Sequence, residues 1–167
     1  MNSSQFNKIL VVKHGSLGDI AFSILAMASI KQFFSNATID LLTEEKYANF
    51  LSNSNYFNSI FKDNRKGIID SLKVILKIYQ NKYDLIIDLQ NSKRTNNYWS
   101  FLKFISEVKV NGSRSNCDIQ YVIPPQGTES PQQGLYNQLK LLGVNEIYQN
   151  VDWLSRDITA INEDKII

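Results

Sequence analysis

Asp19 stands where a carboxylate could take a proton. It closes the turn Lys13-His14-Gly15-Ser16-Leu17-Gly18-Asp19, which follows the apolar run Ile9-Leu10-Val11-Val12 and opens a second apolar run of different period. A short glycine turn entering a helix presents backbone N–H groups, here beside the Ser16 hydroxyl, and such a place binds anions. A carboxylate in the same turn would repel a phosphate. It makes chemical sense if it accepts a proton from a neutral hydroxyl next to an anionic leaving group. The plainer reading is a helix N-cap, for which aspartate is a preferred residue. The residues themselves fit both.

Other side chains have plain readings as well. His14, the only histidine, reads as a solvated loop residue. Lys93-Arg94 reads either as a surface pair at a helix start or as a pair of anion contacts. Tyr98, Trp99, Phe101 and Phe104 recur at helical spacing and are expected in the core.

Several phosphate-binding motifs are excluded. Gly15 and Gly18 lack the third glycine of a dinucleotide fingerprint, and no Gly-Lys-Ser/Thr follows as in a Walker loop. A phospho-acceptor receiver would use an aspartate such as Asp88 but needs acids after the first strand. Lys13 and His14 stand there instead. No CxxC or histidine-rich metal pattern exists, so neither a metal nor a cofactor is expected.

The elements that must hold these residues alternate. Ile9–Val12 is a short β-branched run, as in a strand buried on both faces. Asp19–Phe34 follows at helical spacing, then a strand over Ala37–Thr43 and a helix for which Thr43 offers the cap. A strand is expected over Tyr56–Phe61 and a helix over Ile68–Tyr79 with Ile69, Leu72, Leu76 and Tyr79 on one face. Asp84–Gln90 is the clearest strand. Tyr98–Ile105 is helical, Val108–Gly112 a strand, Ser113–Pro131 a loop with all three prolines, and Gly134–Leu142 a last helix stopped by Gly143. This order predicts a right-handed α/β array, a Rossmann-like parallel sheet with helices on both faces. Ligands in such sheets bind beyond the carboxyl ends of the strands. The candidate segments are therefore Lys13–Asp19 and Asp88–Thr95, which share a crevice if the first and fourth strands are neighbours.

A chain of 167 residues predicts one domain with its own core. Residues 1–150 form that domain, and 151–167 read as an exit segment in which Trp153 and Leu154 clamp onto it. The net charge of +2 is too small for wholesale nucleic-acid binding, so no nucleic-acid partner is expected. The charge is uneven: from Lys62 to Arg114 there are eleven Lys/Arg against five Asp/Glu. One cysteine, no secretory signal and no apolar run of bilayer length predict a cytoplasmic protein, with peripheral membrane contact open.

The stretch ILVVKHGSLGDIAFSILAMASIKQFF resembles the opening of glycosyltransferase family 9, the ADP-heptose:lipopolysaccharide heptosyltransferases. Lys13, Ser16, Gly18 and Asp19 match the family's Lys-x-x-Ser-x-Gly-Asp motif, and Ala26 departs from a common proline. Tyr83–Gln90 is similar to the family's "YDLVIDLQ" strand, Ser92–Thr95 to its small/basic turn, and Gly134–Val144 more weakly to the helix closing its first domain. The resemblance implies the N-terminal, acceptor-side half of a GT-B architecture, with a C-terminal donor-binding domain outside this chain. It implies an inverting transfer of a heptose or related sugar from a nucleotide-sugar of ADP-heptose type to a lipopolysaccharide core acceptor, at the inner membrane. Asp19 would be the catalytic base. Lys13, Ser16, Gly18, Gln90, Lys93 and Arg94 would contact substrate. The isolated chain would be inactive without its other half. The competing expectation is a non-catalytic Rossmann-like module that binds an anionic glycan or a partner protein.

Overall fold

The computed structural model describes residues 3–149 and 151–155. Six strands form one all-parallel sheet: β1 (Lys8–Val12), β2 (Thr38–Thr43), β3 (Ser59–Lys62), β4 (Leu85–Asp88), β5 (Lys109–Gly112) and β6 (Ile119–Gln120). Their order is β3-β2-β1-β4-β5-β6, so β1 and β4 are neighbours and the loops that follow them stand side by side at one edge of the sheet. Val12 pairs in register with Leu42 on one side and Asp88 on the other.

Five helices cover the sheet: α1 (Leu17–Phe33), α2 (Glu45–Ser52), α3 (Ile68–Asn81), α4 (Lys93–Ile105) and α5 (Pro131–Lys140). Side chains alternate along each strand, which divides the core in two. Ile9, Val11, Ile39, Leu41, Leu85 and Ile87 pack beneath α1, α2 and α5. Leu10, Val12, Leu42, Ile86 and Val110 pack beneath α3 and α4. Burial on both faces is why β1 reads as an unbroken apolar run.

Several boundaries differ from expectation, each for a local reason. α4 begins at Lys93, five residues before Tyr98, because Ser92 and Thr95 form a reciprocal capping box. Thr43 is the last residue of β2 and caps nothing; Glu44 is the N-cap of α2, without a side-chain cap bond. α5 begins at Pro131 behind the N-cap Ser130, with proline at the position that needs no N–H donor. The expected loop 113–131 contains the two-residue strand β6.

The core expectation for α4 is corrected, and the face expected on α3 gains its direction. Ile69, Leu72, Leu76 and Tyr79 of α3 share the outward face, and the sheet-facing seam is Val74, Ile75 and Ile78. α3 is apolar around more than one stripe, and periodicity fixes spacing without selecting the stripe that meets the sheet. In α4 the seam is Thr95, Tyr98, Trp99 and Leu102, which leaves Phe101 and Phe104 exposed.

Trp153 does clamp onto the domain. Its ring lies 5.2 Å from Phe50 and 6.0 Å from Tyr56, and its Nε1–H donates to the Tyr56 hydroxyl at 2.8 Å. Leu154 is exposed. The rest of the exit segment, 156–167, lies outside the described residues. No helix among the described residues is long and apolar enough to cross a membrane.

Candidate functional site

β1 delivers Lys13 and His14 to the carboxyl edge of the sheet, and β4 delivers Gln90 beside them. The Lys13 ammonium donates to the Leu89 carbonyl at 3.2 Å, and the His14 amide donates to Gln90 Oε1 at 2.9 Å. Lys13 is buried, and burial lowers its pKa while Asp19 and Asp88 oppose that drop.

The chain then turns sharply. Gly15 has φ of +116°, and a Cβ there would stand 2.7 Å from Asp19 Oδ2, so only glycine fits. Gly18 has no such requirement: a Cβ would meet Ser16 Oγ at an ordinary 3.8 Å.

Asp19 is not the N-cap. Ser16 is, and Asp19 is the third helical residue in a capping box. Asp19 Oδ2 accepts from the Ser16 amide and the Ser16 hydroxyl, both at 2.9 Å, while the Asp19 amide donates to Ser16 Oγ at 3.3 Å. Each of these bonds to the carboxylate ends on Oδ2, and the side chain is exposed. The bonds from the Ser16 amide and hydroxyl hold the Asp19 pKa below its usual value, with a smaller contribution from Lys13. It is ionised at neutral pH.

Of the donors expected for an anion, two are already engaged. The Ser16 amide serves Asp19, and the Gly15 amide donates to Glu44 Oε1 at 3.2 Å.

Beside this turn lies a buried polar cluster that sequence reasoning missed. Asp63, directly after β3, is fully buried. Its Oδ1 accepts from the Arg65 amide at 2.9 Å and lies 3.6 Å from Arg94 Nη2. Its Oδ2 accepts from the Tyr98 hydroxyl at 2.9 Å. His14 Nε2 stands 3.5 Å from the same oxygen, within ion-pair range but without a hydrogen bond. His14 is therefore a buried residue rather than the solvated one expected. Burial pushes its pKa down to about 4, so it is neutral at pH 7. Arg65 closes the ring by binding Glu44 at 2.9 Å. The signal for Asp63 was available: Lys62-Asp63-Asn64-Arg65-Lys66 leaves the carboxyl end of a strand, as the other site loops do.

Lys93 and Arg94 part company. Lys93 is exposed on the first turn of α4. Arg94 bends inward, where its Nε–H donates to the Tyr98 hydroxyl and its Nη1 reaches the Arg65 carbonyl at 3.5 Å. Gln90 ties the two loops together through His14. Asp88 is buried as the anchor of its own loop, accepting the Gln90 and Asn91 amides and the Trp99 indole N–H.

Beyond β4 and β5, Asn91, Ser113, Tyr121, Glu129 and Gln138 line a concavity of about 260 Å³ on the same edge of the sheet. A larger one, about 840 Å³, lies at the opposite edge among Phe6, Tyr79, Tyr83 and Val108, with none of the expected site residues.

No protein-family model matches the chain. It is 32% identical over 87 residues to lipopolysaccharide heptosyltransferase 1 of Campylobacter coli, a match covering 50% of this chain and 25% of that protein. In fold it is similar to a family 9 glycosyltransferase from Veillonella parvula, with a TM-score of 0.71 at 18% identity over 87% of this chain and 43% of that one. The E. coli heptosyltransferase WaaC, solved with ADP-2-deoxy-2-fluoro heptose, gives 0.61 at 15% identity over 88% and 52%. The E. coli ADP-heptose heptosyltransferase II gives 0.56 at 17% over 70% and 35%. The chain thus spans a quarter of the curated relative and about half or less of the solved ones. The resemblance to glycosyltransferase family 9 holds in sequence over half the chain and in fold over most of it.

Proposed function

We propose that this chain is the acceptor-side half of a family 9 glycosyltransferase that moves a heptose, or a related sugar, from a nucleotide-sugar to a lipopolysaccharide core. The observation that carries this reading is Asp19: an ionised, exposed carboxylate at the carboxyl edge of the central strand, with Oδ2 spent on the capping box and Oδ1 outside it.

The chemistry follows from that division. Bonds to Oδ2 fix the carboxylate's orientation, and Oδ1 accepts the proton of an incoming acceptor hydroxyl. The hydroxyl oxygen forms its bond to the anomeric carbon as the bond to the nucleotide diphosphate breaks. Attack from the face opposite the leaving group inverts the configuration. The negative charge leaves with the diphosphate, and the proton stays on Asp19 until solvent removes it. A low pKa keeps the base charged but weak, so positioning must supply much of the acceleration.

Lys13, buried behind the turn, sets the field at Asp19. Lys93 is the exposed cation available to an anionic acceptor. Arg94 acts mainly through the cluster it braces, and Ser16, Gly18 and Gln90 shape the turn. In this reading the donor is held by a second half of the enzyme, outside this chain, and the acceptor is presented by the cytoplasmic face of a membrane.

One observation favours the partner-protein form of the alternative, a non-catalytic module: the Gly15 and Ser16 amides are satisfied within the protein, which leaves them no part in holding a leaving diphosphate. Titration calorimetry on the isolated chain separates substrate halves. An inner-core saccharide should bind and ADP-heptose should not. Binding of the nucleotide-sugar without the saccharide would overturn the assignment to the acceptor side.

A further inference from the structure

We propose that the outward face of α3 and α4 docks the protein onto an anionic membrane surface. This deepens the reading above by naming the surface that meets the membrane, and it can fail independently of that reading.

The two helices lie side by side over the same face of the sheet, and Tyr79 of α3 shares a cleft with Leu102 and Ser106 at the end of α4. Their sheet-facing seams are filled, yet large apolar side chains continue onto the outside. Ile68 is 80% exposed, Ile69 71% and Phe104 89%, with Leu72, Leu76 and Phe101 about half exposed. At about 100° per residue, Leu72, Leu76 and Tyr79 fall on the flank of α3 that turns outward and toward α4. Phe101 and Ile105 fall on the flank of α4 that turns toward α3. The result is one apolar seam rather than scattered residues.

Charge identifies the occupant. Within α3, its C-cap and α4, the outward charges are Lys73, Lys82 and Lys93, with Lys77 over the Phe61 ring and Lys103 paired to Asp118, against Asp70; Arg94 turns inward to Asp63. An apolar stripe flanked by lysines fits lipid tails below a layer of anionic headgroups, and such helices lie in the interface rather than span it. The other helix layer shows no equivalent: α1 exposes Leu17 and Phe22, five places apart, with the acid Asp19 between them.

Flotation with phosphatidylcholine vesicles, with and without phosphatidylglycerol, tests the idea on the chain as it stands. The chain should float with the anionic vesicles and release at high salt. Phe104→Ser combined with Ile69→Ser should weaken binding by about tenfold or more, since both side chains would lie in the apolar boundary. Lys73→Gln with Lys82→Gln should also cost roughly tenfold and flatten the salt dependence. Both pairs are exposed, and circular dichroism should show them folded. Asp19→Asn should float like the parent, because these vesicles contain no glycan. The proposal is overturned if the parent ignores anionic vesicles, or if the apolar pair floats unchanged. It is equally overturned if the patch instead forms a dimer that Phe104→Ser dissolves, as measured by light scattering.

Discussion

Asp19 and Asp63 lie at the same edge of the sheet, after β1 and β3, and their surroundings are opposite. Asp19 is exposed, tied through one oxygen to its own helix turn. Asp63 is fully buried, with the Arg65 amide and the Tyr98 hydroxyl bonded to it and Arg94 and His14 close by. A buried carboxylate with both oxygens engaged is a structural device; it holds the loops after β1 and β3 and the start of α4 in one arrangement. An exposed carboxylate with a spare oxygen is available to a substrate. Position at the strand ends marks both as candidates. Exposure and spare bonding capacity separate them.

The comparison breaks most readily at Asp63. Asp63→Ala would take the carboxylate from the half-buried Arg94 guanidinium and the buried Tyr98 hydroxyl, a loss expected to cost about 3–5 kcal/mol. Urea unfolding of the variant checks this. A loss below about 1 kcal/mol would mean the cluster is not what holds the loops.

A smaller effect is expected where the turn has no room. Gly15→Ala places a methyl group against Asp19 Oδ2 at a φ that favours glycine, which should cost about 1–3 kcal/mol. It should also displace the carboxylate, so sugar transfer should fall further than stability. Equal losses in the two would detach the turn from the chemistry.

The third effect is nil at neutral pH and grows in acid. His14 titrates at about 4 when folded, against 6.5 as its ordinary value. Between these values the unfolded chain binds more protons than the folded one, so stability falls as pH drops from about 6.5 toward 4. His14→Gln should flatten that part of a melting-temperature profile. An unchanged slope would assign the acid sensitivity to other groups.

Much of the architecture could be read from the residues because it rests on local signals. The β-branched runs at Ile9–Val12 and Leu85–Asp88 are buried on both faces and read unambiguously as strands. The capping boxes at Ser16 and Ser92 are sequence patterns too, though only the structure shows that Asp19 is the third helical residue and not the cap. The stripe of α3 that meets the sheet was not legible, since Leu72 and Ile75 are equally apolar and only the packing chooses between them. The same holds for the site. Asp19 and its turn carry a motif, whereas the cluster of His14, Asp63, Arg94 and Tyr98 joins residues up to 84 positions apart across β1, β3 and α4. Long-range pairings of that kind leave no periodic trace.

Asp19→Asn, assayed for transfer with the donor-binding half supplied, tests the central claim most directly. Asparagine keeps an oxygen for the Ser16 amide and hydroxyl but cannot take a proton. Single-turnover transfer should fall by about 10²- to 10⁴-fold, with acceptor affinity and thermal midpoint close to the parent's. Turnover at the parental rate in a folded, acceptor-binding variant would contradict the account and leave Asp19 as part of the helix cap alone.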